Sequence, residues 1–348
     1  MGGEAPAREY DGEGKPLSMK NHKWLGTAVK LAISLALVAV LLNAVGVEDA
    51  FHRLRTVDPA WLSLAIIVAL LQVPICSERW RGVLAAIEAH LSIKDAFVFW
   101  YIGAFFNQTL PSAVGGDAVR GYLAYKGGIG FAPVLSSLVI ERVVTVLALV
   151  LLVAGLTPFA AAQLSDVSGG ATWFQNAVWL ALVGALGGCA LLMVMVRLPS
   201  ALTRFRIVRG VVVLAVDARR TLLHPGYAAR ALGWSLLGHA NLSVVIYFLA
   251  RALGIDVGLL ACMVLFPPVL LAQIVPISLA GWGVREGAVV ALFGLVGVAA
   301  DGALALSILY GLVMAVTSVP GVVLWLGSGR RSLKNAEAFA AKADAVEV

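Results

Sequence analysis

The segment 107–120 combines a break in a helix with side chains that suit a phosphate group. Proline cannot continue a helix, and paired glycines adopt backbone angles closed to other residues, so the chain is predicted to break here. Asp117 is expected to cap a second half-helix whose N-terminus, with Arg120 one turn along, suits an anion. The candidate binding residues of this segment are Asn107, Gln108, Pro111, Gly116, Asp117 and Arg120.

The segment 273–286 has the same character. Arg285 and Glu286 stand among apolar residues, where ionisable side chains are costly at membrane depth. The simpler interpretation is that the charged residues of both segments are ion pairs or interfacial residues that only hold the segments in place. The candidate binding residues of the second segment are Gln273, Pro276, Ser278, Gly281, Arg285 and Glu286.

The two segments align at a single offset of 165 residues. This offset pairs Gln108 with Gln273, Pro111 with Pro276, Gly116 with Gly281 and Arg120 with Arg285. In transporters with inverted repeats, broken helices of two such halves meet near the membrane midplane and form the substrate site. The alignment therefore predicts an inverted repeat, with halves at about 60–157 and 226–326.

The rest of the chain must position these segments inside a membrane. The chain of 348 residues is 60% hydrophobic and 13% charged, with a mean hydropathy of +0.91, which is too apolar for one water-soluble core. We predict an all-α polytopic membrane protein with about six full spans and two oppositely oriented hairpins, re-entrant or paired. The apolar runs of about 20 residues that could cross a bilayer lie near 25–46, 60–77, 133–157, 173–196, 229–253 and 302–326.

The distribution of arginine predicts the orientation. The Arg-rich stretch 197–230 and the basic C-terminal tail are expected on the cytoplasmic side of a plasma (inner) membrane, as is the N-terminus. The loop 158–172 has no Lys or Arg and is expected outside. The loop 47–59 violates this rule, because it carries Arg53 and Arg55 on the outer side.

The predicted domain organisation is simple. Residues 1–24 form a polar cytoplasmic tail, 25–327 a single transmembrane domain, and 328–348 a second cytoplasmic tail. Within the fifth span, His239 and Asn241 are expected to form hydrogen bonds between helices.

Several function classes find no support in the sequence. The three cysteines, Cys76, Cys189 and Cys262, form no CxxC pair and have no His at ligand spacing, so no metal site is predicted. No nucleotide-binding loop of the form GxxxxGK[ST] occurs, and no cofactor is expected. The excess of Lys and Arg residues that gives the net charge of +6 is located beside the spans. This location indicates a role in membrane orientation and not in nucleic-acid binding.

The run from Asn107 to Arg120, the pair Glu141-Arg142 and the run from Pro276 to Glu286 resemble the lysylphosphatidylglycerol synthase transmembrane-region family. This is the flippase-like membrane domain of multiple peptide resistance factor proteins, and the resemblance covers nearly all of the chain after residue 24. It implies lipid translocation. The positions that match the family's motifs are Asn107, Pro111, Gly116, Asp117, Arg120, Glu141, Arg142, Arg285 and Glu286.

Full-length synthases of that family add a soluble aminoacyl-transferase domain, and this chain ends at Val348, soon after its last span. We therefore expect a stand-alone form that is not an enzyme. Without that domain the resemblance leaves the lipid open: isoprenoid-linked sugars, other phospholipids and hopanoid-type lipids all remain candidates.

The leading hypothesis is a flippase that moves a phospholipid or related polar lipid, with an anionic or zwitterionic headgroup whose phosphate Arg120 and Arg285 hold. One alternative is an intramembrane lipid-modifying enzyme with Glu141, Asp117 or Glu286 as acid or base. The other is a scaffold that recruits a separate cytoplasmic lipid-modifying transferase through 197–230. The sequence leaves open the direction of transport, its energy source and the oligomeric state.

Overall fold

The computed structural model describes residues 53–109, 115–160, 164, 170–198, 204–273 and 282–327. Helices make up nearly all of these residues, and no β-strand occurs among them. The predicted span 25–46 lies outside the described residues, as do the predicted site residues Pro111, Pro276, Ser278 and Gly281.

We number the helices in chain order. They are α1 (Pro59–Leu70), α2 (Gln72–Ala86), α3 (Ile93–Thr109), α4 (Gly115–Lys126), α5 (Phe131–Ala160), α6 (Gly170–Val194), α7 (Arg206–Leu223), α8 (Pro225–Ala252), α9 (Leu259–Ala272), α10 (Val284–Gly294), α11 (Ala300–Ser318) and α12 (Pro320–Gly327). A short 3₁₀ turn, Met195–Arg197, extends α6.

Five helical stretches are long and apolar enough to cross a membrane, and they coincide with the last five predicted spans. The all-α, multi-pass fold class is therefore confirmed. The first of the five runs nine residues beyond its predicted end at 77, because α2 continues α1 through a run containing Arg79 and Arg81. The stretches are Pro59–Ala86, Phe131–Ala160, Gly170–Arg197, Pro225–Ala252 and Ala300–Gly327.

One side of the domain, which we call the Arg53 face, gathers the start of α1, the end of α8 and the start of α11. The Asp58 N–H donates to the Ala252 carbonyl at 2.9 Å, and Arg53 Nε donates to Asp301 Oδ2 at 2.6 Å. The arginine that violates the charge rule is thus neutralised by an aspartate of another helix.

The opposite side, which we call the α7 face, gathers the end of α2, the start of α8 and the whole of α7. Arg230 Nη2 donates to Glu78 Oε2 at 2.9 Å, and Arg220 Nη1 lies 3.2 Å from Glu88 Oε1. Neighbouring spans are therefore antiparallel.

Two helical hairpins enter the domain from opposite faces. The α3–α4 hairpin begins after α2 and ends before α5, so it opens to the α7 face. The pair α9 and α10 lies between α8 and α11, so it opens to the Arg53 face. These four helices have 17, 12, 14 and 11 residues, fewer than the roughly 20 needed to cross a bilayer. None of the four is among the five stretches long and apolar enough to cross a membrane.

The apolar core divides between the hairpins. One cluster of buried residues surrounds α3 and α4 and includes Trp80, Phe99 and Ile140. A second surrounds α9 and α10 and includes Phe266 and Phe293. Each hairpin is thus packed into its own half of the domain.

The α3–α4 contact depends on glycine at position 116. A Cβ atom there would lie 2.0 Å from the Gly103 carbonyl oxygen and 2.5 Å from Asn107 Cγ, far inside van der Waals contact. Glycine therefore lets the two backbones approach closely enough for the hairpin to close.

We predict that Gly116→Ala lowers the melting temperature of the purified protein by about 5 °C or more, because the added methyl group forces the α3 and α4 backbones apart. Thermal unfolding in detergent is the measurement. The matched control is Gly155→Ala on α5, where a Cβ would meet nothing within 4 Å. Equal melting temperatures for the two variants would contradict this account of the hairpin.

Candidate functional site

Five charged residues from three helices meet inside the first half of the domain, and we call them the charge cluster. They are Arg79 on α2, Asp117 and Arg120 on α4, and Glu141 and Arg142 on α5. Glu141 lies ten residues into the 30-residue helix α5, about 15 Å from its start at 1.5 Å per residue. The cluster therefore lies several helical turns inside the start of α5, between α2, α4 and α5.

Arg120 is the most enclosed cation of the cluster. Its Nε donates to Asp117 Oδ1 at 2.9 Å, and its Nη2 lies 2.6 Å from Glu141 Oε2. The guanidinium carbon lies 4.4 Å from the ring centre of Trp100 and 4.7 Å from that of Trp80, where the negative ring faces attract a cation. Two carboxylates and two indoles thus surround the guanidinium, while its Nη1 has no hydrogen-bond partner among the described residues.

Glu141 joins α5 to both other helices of the cluster. Its Oε1 accepts from Arg79 Nε at 3.0 Å and from Arg79 Nη2 at 2.8 Å, while its other oxygen faces Arg120. A charge buried at this depth is tolerated only when it is paired. Glu141 and its two arginines therefore depend on one another.

Arg142 differs from the other members because it is accessible. Its Nε donates to Asp117 Oδ2 at 2.9 Å, and its Nη2 contacts the same oxygen. Its side chain is 48% exposed, whereas that of Arg120 is 2% exposed. The cluster contains three guanidinium groups and two carboxylates, so it has one positive charge in excess. The exposed side chain of Arg142 makes this charge accessible.

The end of α3 and the start of α4 bring Asp117 to the cluster. The Gly116 N–H donates to Asn107 Oδ1 at 2.9 Å, which fixes the first turn of α4 beside α3. The expectation that Asp117 caps this helix is wrong, because α4 already begins at Gly115. Its carboxylate binds Arg120 and Arg142 instead of backbone N–H groups, since charged donors form the stronger hydrogen bonds.

A cavity of about 160 Å³ adjoins the cluster, between the α1–α2 junction, α3 and α11. Its lining is mostly apolar, and its polar groups are amides, hydroxyls and the Trp100 indole; the described lining carries no charge. Trp100 also contacts Arg120, so one side chain separates the cavity from the charge cluster. The polar side chains that line it are Gln72, Asn107, Gln108, Thr317 and Ser318.

Two hydrogen bonds between helices hold α8 beside this region, as expected. His239 Nε2 lies 3.0 Å from the Thr145 carbonyl oxygen. Asn241 Nδ2 donates to Gln72 Oε1 at 2.9 Å, which leaves less of the Gln72 amide free to bind a ligand. Both bonds lie within spans, where polar side chains find their partners on neighbouring helices.

The second hairpin forms a separate, electrically balanced pair. Arg285 Nη2 lies 2.5 Å from Glu286 Oε1, and Arg285 Nε donates to Ser307 Oγ on α11 at 3.1 Å. Glu286 Oε2 accepts from the Gly283 N–H at 2.6 Å, which caps α10. Gly311 leaves room for the guanidinium, because a Cβ there would lie 2.5 Å from Arg285 Nη2.

The structure thus groups the predicted residues in three places. Asp117, Arg120, Glu141 and Arg142 meet in the charge cluster. Asn107 and Gln108 line the cavity, and Arg285 and Glu286 pair with each other. Gln273 joins none of these groups, since its amide donates to the Val269 carbonyl of its own helix at 3.4 Å.

Four further residues contact the predicted ones although they were not among the candidate site residues: Arg79, Trp80, Trp100 and Ser307. Arg79 lies beyond the end of the predicted span 60–77. The longer helix α2 carries it to Glu141. A helical periodicity that continued past residue 77 was the available signal. Within the described ranges, no group of three His, Cys, Asp or Glu side chains could hold a metal ion.

Comparison with known proteins agrees with this architecture. A family model described as "Lysylphosphatidylglycerol synthase TM region" matches residues 27–321. A protein of Methanothermobacter thermautotrophicus named "UPF0104 membrane protein" is 24% identical over 80% of this chain and 87% of its own length. Similarly named proteins of Methanocaldococcus jannaschii and Pyrococcus horikoshii are 28% and 26% identical over 34% of this chain. The chain spans only 35% and 37% of the length of these last two.

We predict that Glu141→Gln lowers stability strongly, by about 3–5 kcal/mol, because Arg79 and Arg120 then keep buried charges without this counterion. Thermal unfolding in detergent is the measurement. The matched control is Glu88→Gln, which removes a partner of Arg220 with a side chain 80% exposed and is expected to change stability by less than about 1 kcal/mol.

The double variant Arg79→Gln/Glu141→Gln tests the coupling. It removes one charge of each sign and is expected to be more stable than Glu141→Gln alone. Purely additive losses would show that the two residues do not act as one unit.

Proposed function

The chain belongs to the lysylphosphatidylglycerol synthase transmembrane-region family, and from that premise we propose that it is a membrane lipid flippase. It moves a phospholipid or related polar lipid between leaflets through the region where the α3–α4 and α9–α10 hairpins enter the membrane. The lipid tails stay in the bilayer while the headgroup moves along the polar side chains inside the domain.

The observation that carries the proposal is the excess positive charge of the cluster. Three guanidinium groups face two carboxylates at membrane depth, and an uncompensated charge there is costly. An anionic headgroup that contacts Arg142 balances the cluster. A phosphate group suits this role, because a guanidinium can donate two parallel hydrogen bonds to it.

The accessible cation is Arg142 and not Arg120, to which the sequence analysis assigned the phosphate. Arg120 and Arg285 are buried and paired, so direct contact with a headgroup requires an opened state of the hairpins. In the described conformation Arg120 instead holds Asp117, and Asp117 holds Arg142. We assign Arg142 to headgroup contact and Arg120 to positioning.

The cavity supports a path for the headgroup rather than a site for one charged group alone. Its amides include Asn107, whose oxygen accepts from the Gly116 N–H and whose NH₂ group has no hydrogen-bond partner among the described residues. Donors of this kind suit the oxygen atoms of a headgroup. Because the cavity is also mostly apolar, it has the character of small-molecule sites, in which a few polar groups orient the ligand.

Helix bounds support the predicted inverted repeat. Adding 165 to the bounds of Pro59–Ala86 gives 224–251, one residue from the span Pro225–Ala252. The same shift of Ile93–Thr109 gives 258–274, against Leu259–Ala272. The two hairpins also enter from opposite faces, as in transporters whose halves are inverted.

The charge of the two faces supports an orientation in a plasma (inner) membrane. The α7 face carries most of the arginines outside the spans, so we place it in the cytoplasm together with both termini. The Arg53 face is then external, and its arginines Arg53 and Arg251 pair with Asp301 and Asp256.

The pairing of the carboxylates favours transport over lipid chemistry. Asp117, Glu141 and Glu286 are the acid or base candidates of the enzyme hypothesis, and each already accepts from at least one guanidinium group. A general acid or base must also reach the substrate proton, and all three residues are buried.

We predict that Arg142→Gln lowers the exchange of anionic phospholipids between leaflets about tenfold, because it removes one charge-assisted hydrogen bond to the headgroup. Fluorescent phosphatidylglycerol in liposomes with purified protein is the assay, and Arg142→Lys is expected to retain most of the activity. The matched control is Arg251→Gln, an exposed arginine on the other face. Unchanged exchange in Arg142→Gln would exclude this path, and no wild-type exchange across a broad lipid panel would refute the flippase.

A further inference from the structure

Helix α7 is the part of the described chain that the translocation path leaves unexplained. It has 18 residues, about 27 Å of helix, and it is not among the five stretches apolar enough to cross a membrane. The helix α8 begins at Pro225, directly after it, and α6 approaches from the same face. Helix α7 therefore packs against α2, α5 and α8 at the α7 face and is not itself a span.

One side of α7 is packed against the spans. Ala215, Ala218 and Thr221 are buried there. Arg220 pairs with Glu88 just beyond the end of α2, and Asp217 lies close to Ser136 on α5. These contacts hold the orientation of the helix, so its other side has a defined direction.

The other side is basic and exposed. Residues 204–223 contain five arginines and one acidic residue, Asp217, whose pKa burial raises above its ordinary value. Arg209 is exposed and has no ion-pair partner within the described part of the chain. Arg204 is also exposed, and its guanidinium lies 4.9 Å from the ring centre of Phe205.

Large apolar side chains near these arginines are exposed and are not buried against the spans. Phe205, Ile207 and Val213 are 51%, 43% and 44% exposed. Arginines facing only water or an acidic protein do not require such neighbours. A lipid surface does, because apolar side chains enter the headgroup boundary while arginines contact the phosphates.

We propose that residues 204–223 form a binding surface for anionic phospholipids of the leaflet at the α7 face, separate from the translocation path. Clusters of arginine beside spans attract anionic lipids because each charge near the surface adds to the binding. The surface touches α2 and α5, the two helices that carry Arg79, Glu141 and Arg142. It thus gathers anionic lipid on the side to which the α3–α4 hairpin opens.

The test is a binding measurement that does not require transport. The protein carries Arg142→Gln, so that the charge cluster contributes little, and is titrated with dioctanoyl phosphatidylglycerol or dioctanoyl phosphatidylcholine in neutral detergent. Native mass spectrometry counts the bound lipids. The variant Arg204→Gln/Arg209→Gln/Arg219→Gln is compared with Arg55→Gln/Arg251→Gln, which removes charge from the Arg53 face.

Phosphatidylglycerol is expected to bind at least tenfold more tightly than phosphatidylcholine, and the triple variant is expected to lose this preference while the control keeps it. Melting temperatures equal to that of the parent show that the three substitutions leave the fold intact. Equal binding of the two lipids by the parent protein, or an unchanged preference in the triple variant, overturns the proposal. Tighter binding of a polyglutamate peptide than of phosphatidylglycerol overturns it in favour of an acidic protein partner.

These results are independent of the flippase assay. A protein that exchanges no lipid can still show the Arg-dependent preference for phosphatidylglycerol, in which case only the proposed translocation fails. If the protein exchanges lipids but shows no such preference, the proposed function stands and the proposed lipid-binding surface on α7 fails.

Discussion

The pairing of Glu141 with Arg79 and Arg120 is the constraint on which the first half of the domain depends. Each of these groups is costly to bury alone, and each becomes tolerable only when the others are in place. Because they come from α2, α4 and α5, the three helices must meet at this depth. The indoles of Trp80 and Trp100 complete the enclosure. The hairpin is therefore held inside the membrane by charge as well as by its apolar surface.

The two hairpins use related residues in unequal ways. At Arg285 one guanidinium meets one carboxylate of the same helix, and the pair is balanced and closed. The charge cluster around Arg120 has one positive charge in excess. Asp117 pairs with both Arg120 and Arg142, and Arg142 is the exposed member. A domain with two balanced pairs offers no attraction to an anion at membrane depth. Under the proposed function, this asymmetry assigns the headgroup site to the charge cluster, whereas Arg285 and Glu286 only hold α10 beside α11.

Much of the fold could be predicted because the bilayer imposes simple rules on sequence. Apolar length located five of the spans in the described chain, and the junction between α3 and α4 falls within the segment 107–120, where a break was predicted. The family resemblance also included Asp117, Arg120, Glu141 and Arg142 among its nine matching positions. It did not identify Arg79, because local hydropathy ends the span at Ser77, whereas packing against α5 and α8 continues the helix to Ala86. From sequence alone, a charged residue at the end of an apolar run is assigned to the membrane interface, because its partner on another helix is not known.

The sequence by itself determined that this chain is a membrane protein with two broken segments rich in charge, since hydropathy and helix-breaking residues act locally along the chain. Only the tertiary structure decided which charges neutralise one another and which one remains accessible. Arg120 and Arg142 have similar local surroundings in sequence, yet one side chain is enclosed by α2, α3 and α5 while the other faces outward from α5. Burial and ion pairing depend on helices distant in the chain, and these contacts appear only when the domain is folded.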